Sequence, residues 1–219
     1  MPELHDGPRS PLFKPLLFRG NATFDDLAKA KLSERMTRSI PHAPRGACTS
    51  WGIPFTVDRV VLLREKPVEI KLKPVKAPWL VFLHTTDSEL LEWNQHGFVS
   101  PTRGVGRLRE RVADYVILYA DGSQETLPIR RRHQIGMFNR GWGENCFEAV
   151  GHHKPHPVRP VQEQAPVDAS PSQGMIWGWS QTRAAMPDMG PWVNWIWAWE
   201  NPNPGKVIVG VRFEPVAGT

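Results

Sequence analysis

Five of the ten tryptophans stand two residues apart in two short runs near the C-terminus. Trp177 and Trp179 lie in MIWGWS, and Trp195, Trp197 and Trp199 lie in WVNWIWAWENP. A β-strand turns successive side chains to opposite faces, so each set lines one face of one strand. Two such strands side by side build a broad indole surface. That surface is either an unusually aromatic core or a platform for flat, apolar ligand faces such as sugar rings. A core requires a hydrogen-bond partner for each buried indole N–H. A platform requires polar groups at its rim.

The remaining text predicts an all-β fold. The chain has 219 residues, enough for one large β domain with a core that needs no covalent staples. Its 22 prolines and 18 glycines punctuate many short strands. Strand patterns run over 55–63, 68–72, 79–85, 112–119, 124–129, 175–180, 192–199 and 206–213. The run at 79–85 (WLVFLHT) is apolar throughout, which predicts a central strand buried on both faces. Asp121-Gly122 between two strand patterns predicts a hairpin with a type I′ turn. One helix is predicted at 24–36, with Asp25 and Asp26 in its first turn. Strands spaced this way with so little helix indicate a β-sandwich, with a closed barrel as the alternative, and eight or more strands favour a jelly-roll. Residues 151–174 hold five prolines and almost no large apolar side chain, so they read as a Pro-rich loop within a single domain spanning 1–219.

Charge and cysteine content narrow the classes. The formal net charge is +5, dispersed, with Arg130, Arg131 and Arg132 as the densest run at a strand end. Nucleic-acid binding would need basic residues interleaved with the aromatics, and the Trp strands carry none. Cys48 and Cys146 are far apart, and their spacing leaves a disulfide and two free thiols equally open. The N-terminus lacks the apolar run of a secretory signal, and no stretch approaches the ~20 apolar residues of a membrane helix. No membrane partner is expected, and the compartment is unreadable unless this is a domain of a larger extracellular or periplasmic protein.

Four ordered motifs carry a resemblance. Gly52-Ile53-Pro54-Phe55 opens a strand, Phe82-Leu83-His84 closes another, Tyr115 to Gly122 (YVILYADG) forms the hairpin, and Asn201-Pro202-Asn203-Pro204 precedes the last strand. In that order they resemble the galactose-binding-like jelly-roll domains attached to bacterial glycoside hydrolases and polysaccharide lyases. The match covers roughly residues 45–129 and 195–215. It implies a β-sandwich in a carbohydrate-related context and supplies no catalytic residue. The long Pro-rich stretch departs from that pattern.

The candidate sites follow. Carbohydrate binding would use Trp177 and Trp179, with Trp93 and Trp142 from loop-like text, and Arg183, Glu200 and Asn201 as rim contacts to hydroxyls. The expected partner is a polysaccharide or oligosaccharide, alone or beside a larger carbohydrate-active enzyme. No cofactor is implied, and structural calcium is left open. His152, His153 and His156 have the look of a metal cluster, but the run is interrupted by proline and points to no built site. His84 reads as a hydrogen-bonded structural histidine. Glu144, Glu148 and Glu200 are the carboxylates available to a rival glycan hydrolase or lyase, and nothing in their spacing brings two together. A third reading is a structural or interaction module whose tryptophans are simply core.

Overall fold

The computed structural model describes residues 4–88, 95–96, 107–139, 145–153 and 191–216. Within them the chain is mostly antiparallel strand, with two helices of one to two turns and a single 3-10 turn. The helices are α1 (Phe24–Lys29) and α2 (Glu34–Ser39), followed by the 3-10 turn Ile40–His42. The strands are β1 (Gly46–Ser50), β2 (Ile53–Val57), β3 (Val68–Val75), β4 (Trp79–His84) and β5 (Arg111–Tyr119). They continue with β6 (Gln124–Arg130), β7 (Ala149–Gly151), β8 (Trp195–Glu200) and β9 (Ile208–Pro215). β1 and β2 form a hairpin, β3-β9-β5-β6 a four-stranded sheet and β4-β8-β7 a three-stranded sheet. The all-β reading holds.

The larger sheets face one another across one core. Tyr115, Ile117 and Tyr119 of β5, Leu127 and Ile129 of β6, and Ile208 and Val211 of β9 come from one side. Leu80 of β4, Ala149 of β7 and Trp195 and Trp197 of β8 come from the other. Alternate residues of each strand therefore point inward, as a sandwich requires. A second cluster lies under the N-terminal helices, where Phe24, Leu27, Met36 and Ile40 pack with Phe138 and Trp192.

The second Trp run is core at its first two indoles. Trp195 is 2% exposed and Trp197 is buried, while Trp199 is half-buried and packs against the same core. Trp195 Nε1 donates to the Met137 carbonyl at 2.9 Å, which removes the cost of burying an indole N–H. The ring lies so close to the backbone that a Cβ on Gly136 would stand 2.3 Å from its Cε2. Only glycine leaves that space.

Four expectations change in detail. The helix expected over 24–36 is two helices. Thr23 caps α1 through a reciprocal bond set with Asp26. Ser33 then starts α2, its Oγ accepting from the Met36 N–H at 3.0 Å. The Asp87 carboxylate takes both the Ser33 N–H and its hydroxyl at 2.6 Å, holding Ser33 out of a continuous helix. The strand expected over 55–63 ends at Val57, and Val60 instead makes an isolated bridge to Ala22. β4 is an edge strand with β8 at the centre, so apolar character on both faces did not mean a central position.

The hairpin turn is also of another type. Gly122 has φ +84° but Asp121 does not have a positive φ, so Ala120, Asp121 and Gly122 form a three-residue loop with glycine in the left-handed position. Asp121 Oδ1 accepts from the Ser123 N–H at 2.9 Å and from its hydroxyl, and Lys206 stands 3.0 Å from the other oxygen. Those bonds draw the carboxyl down to about 2. The loop with positive φ at both residues is Trp51-Gly52, at +54° and +77°, joining β1 to β2. Of the other strand patterns, 175–180 lies outside the described residues. The Pro-rich stretch does too from 154 onward, while Gly151 closes β7.

Truncation separates the two kinds of tryptophan. Trp195→Ala is expected to cost about 3–5 kcal/mol in urea unfolding, as for other large buried aromatics. Trp79→Ala, on a half-open surface, is expected to stay within about 0.5 kcal/mol of the parent.

Candidate functional site

The three-stranded sheet has two contrasting faces. β4 pairs with β8 so that Trp79 meets Glu200, Val81 meets Ala198, Leu83 meets Ile196 and His84 meets Trp195. Val150 of β7 completes the Leu83–Ile196 row. Leu80, Phe82 and His84 turn inward with the β8 indoles, and Trp79, Val81 and Leu83 turn outward. The outer face is therefore apolar apart from Glu200. Trp79 is 47% exposed, Ala198 and Glu200 are exposed, and Ile196 at the other end is buried. The four-stranded sheet shows the opposite surface, with Glu69, Lys71 and Lys73 exposed on β3 and Arg212 facing Glu69 across the strands.

Trp79 and Glu200 are the open quadrant of that face. Directly opposed residues on antiparallel strands have Cβ atoms about 5 Å apart. The pairing sets an exposed indole beside an exposed carboxylate, with the small Ala198 leaving the adjoining row low. An indole face with an acceptor at its edge can stack on the C–H face of a sugar ring and accept from one of its hydroxyls.

The expected site residues are placed as follows. Glu200 lies on this outer face. Asn201, one residue on, is buried and is not a rim contact. Its Oδ1 accepts from the Tyr119 hydroxyl at 2.6 Å and from the Asn203 N–H at 2.9 Å, and its Nδ2 donates to the Ala77 carbonyl at 2.9 Å. It ties the turn between β8 and β9 to the ends of β4 and β5. Trp93, Trp142, Trp177, Trp179 and Arg183 lie outside the described residues, as do His156 and Glu144. Trp79 escaped the sequence reading because the 79–85 run is apolar on both faces, so alternation did not mark an outer side. Its position at the start of the run, next to Pro78, was the available signal.

His84 is locked by its neighbours. The Gln134 carbonyl can only accept, so Nε2, at 2.8 Å, carries the proton. Nδ1 then accepts from the Tyr115 hydroxyl at 2.9 Å. Burial pushes the imidazole down to about 4 and raises the Tyr115 hydroxyl above its ordinary range. His84 also points inward at the Trp195 end of the sheet, while Glu200 points outward at the Trp79 end. His84 and Glu200 therefore lie on opposite faces of the sheet and at opposite ends of the β4–β8 pairing.

His152 is buried and accepts the Asn194 N–H on Nδ1 at 3.1 Å. Burial and the adjacent His153 hold it down at about 3. Among the described residues no group of three or more His, Cys, Asp or Glu could hold a metal ion. Cys48 is buried, with its thiol raised by burial, and Cys48 and Cys146 are not joined in a disulfide. No helix among the described residues is long and apolar enough to cross a membrane.

Set against protein-family models, curated proteins and solved structures, the chain matches none of them.

The half-buried His84 and the buried His152 predict a pH dependence. Both are neutral in the fold, with values near 4 and 3, but protonate at the ordinary 6.5 when unfolded. Between about pH 6.5 and 4 the unfolded chain binds more protons, so stability falls as pH drops through that window and the histidines add no slope above about pH 7. The unfolding temperature is expected to fall on the order of 10 °C from pH 7 to pH 5. A scan of His152→Gln should show a shallower fall.

Proposed function

We propose that this chain is a noncatalytic carbohydrate-binding module, acting alone or as an accessory domain beside a polysaccharide-processing enzyme. The observation that carries the reading is the exposed Trp79 indole held across the strands from the exposed Glu200 carboxylate, on an otherwise apolar sheet face. Sugars present the chemistry this pair accepts: an apolar ring face and hydroxyls at its edge.

The resemblance to galactose-binding-like jelly-rolls supports the same reading, since its motifs hold the sandwich together. Phe82 and His84 line the core beside Trp197, Tyr115 and Tyr119 span it, and Asn201 closes the last turn. The chain crosses between the facing sheets from β3 to β4, β4 to β5, β6 to β7 and β8 to β9, which is compatible with jelly-roll wrapping. On this reading Trp93, Trp142, Trp177, Trp179 and Arg183, which lie outside the described residues, are further candidate contacts to the sugar.

Affinity electrophoresis through neutral polysaccharides, with intrinsic fluorescence in parallel, tests this. One glycan should retard the protein and shift its emission to the blue. Trp79→Ala should remove that retardation with the fold intact, and Glu200→Gln should weaken it by about 3- to 10-fold, as the loss of a charged acceptor does. Unchanged retardation in Trp79→Ala would exclude this face as the site.

A further inference from the structure

We propose that the end of the four-stranded sheet where β5 begins and β6 finishes binds acidic polysaccharide through a cluster of arginines. The polymer class rests on the carbohydrate reading, but the residues are different ones on the other sheet.

Arg107, Arg109 and Arg111 lead into β5, and Arg130, Arg131 and Arg132 lead out of β6. The register sets Arg111 directly opposite Arg130. Like charges in that position destabilise a sheet. The pairing continues past the strand ends, with the Arg109 N–H donating to the Arg131 carbonyl at 3.1 Å and the Arg131 N–H to the Glu110 carbonyl at 2.8 Å. Among the described residues, Glu110, Asp114 and Glu148 are carboxylates near this end, and each is already engaged. Glu110 meets Arg107 and Arg131 at 3.0 Å. Asp114 is gripped by both arms of Arg111. Glu148 accepts from Gln134 at 2.8 Å and lies 3.3 Å from His133. Among the described residues Arg109, which is exposed, and Arg130 have no carboxylate within ion-pair distance.

The backbone carries strain at the same place. Arg107, Arg109 and Arg132 have φ of +46°, +67° and +59°, and Trp51 is the one other non-glycine residue with positive φ among those described. Such conformations persist where the surroundings over-determine them, and they gather at binding and catalytic sites. Opposed like charges and a strained backbone both cost stability, and a polyanion laid across this end would relieve the first.

An aromatic ring stands at the same end. Phe147 is 72% exposed, its N–H donates to the Arg132 carbonyl at 3.0 Å, and its ring lies 5.2 Å from that of His133. A guanidinium fork matches a carboxylate or sulfate in two parallel hydrogen bonds. The ring beside it offers a face to the sugar that bears the acid. Nucleic acid fits less well, because it calls for a series of stacking rings along a basic groove, and among the described residues Phe147 is the one strongly exposed ring at this end, set among arginines and carboxylates.

The test is affinity electrophoresis with polygalacturonate, heparin, a neutral glucan, polyglutamate and a single-stranded oligonucleotide. Polygalacturonate or heparin should retard the protein, less so as salt rises, and which one does names carboxylate or sulfate. The double variant Arg109→Gln/Arg130→Gln should weaken that binding at least about tenfold, as charged hydrogen bonds do. Phe147→Ala should weaken it as well, and Trp79→Ala should leave it unchanged. The unfolding temperature of the double variant should equal or exceed that of the parent, since it removes the opposed charges; this separates lost binding from lost fold. Three results would overturn the proposal: full acidic-glycan binding in the double variant, equal retardation by polyglutamate or the oligonucleotide with Phe147→Ala silent, or no retardation by either acidic glycan. In the last case, retardation by neutral glucan that Trp79→Ala abolishes would leave carbohydrate binding standing without the arginine site.

Discussion

The sandwich depends on where the Trp195 indole puts its N–H. A large ring can fill the space between two sheets only if its one polar atom finds an acceptor there. The acceptor is the Met137 carbonyl, reachable because Gly136 lets the ring lie against the backbone. The same short segment is tied on both sides. The Thr86 N–H donates to the Gly136 carbonyl, the Phe138 N–H to the Thr86 carbonyl, and the Val193 N–H to the Phe138 carbonyl. One indole bond thus fixes a connection that carries Phe138 into the N-terminal cluster, where it meets Trp192. The main core and the helical cap are two packing problems with one shared solution.

β8 then divides labour by alternation. Its odd-numbered positions give indoles to the core, and its even-numbered positions, Ile196, Ala198 and Glu200, form the spine of the outer face. Once the inward side is committed, a ligand surface on this strand can lie only on the even side. Asn201 marks the end of that choice. It is too buried to touch solvent, yet its three side-chain bonds hold the strand end that presents Glu200.

Much of the fold was legible because strand periodicity is a local property. The alternation of β3, the Asp121-Gly122 hairpin and the final strand β9 emerge where the side chains indicate. The break after α1 was partly legible: Ser33 followed by helix formers is a cap signal, but the Asp87 carboxylate that secures it lies 54 residues away. The edge position of β4 was not legible, since an apolar face reads the same whether protein or solvent covers it. Trp79 was hidden by that ambiguity. The opposed arginines were partly within reach, because counting outward from the hairpin sets residue 111 opposite 131 and so brings the two arginine runs together; the irregularity between Arg111 and Ala113 that shifts the pairing to Arg111–Arg130 was not legible.

The two surfaces make sense together as features that weaken the fold locally. An open indole on an apolar sheet face and arginines facing arginines are both choices that stability alone would not favour. A chain can carry them when its core is strong elsewhere. Here the core is dense, with Trp195, Ile117, Ile129, Phe138 and Ile208 fully enclosed. The surfaces also lie on different sheets and draw on opposite physics, one apolar with the Glu200 acceptor, the other cationic with the exposed Phe147 ring. The indole lies on one sheet and the guanidinium cluster at the end of the other, so each is proposed as a site of its own, open to a different sugar.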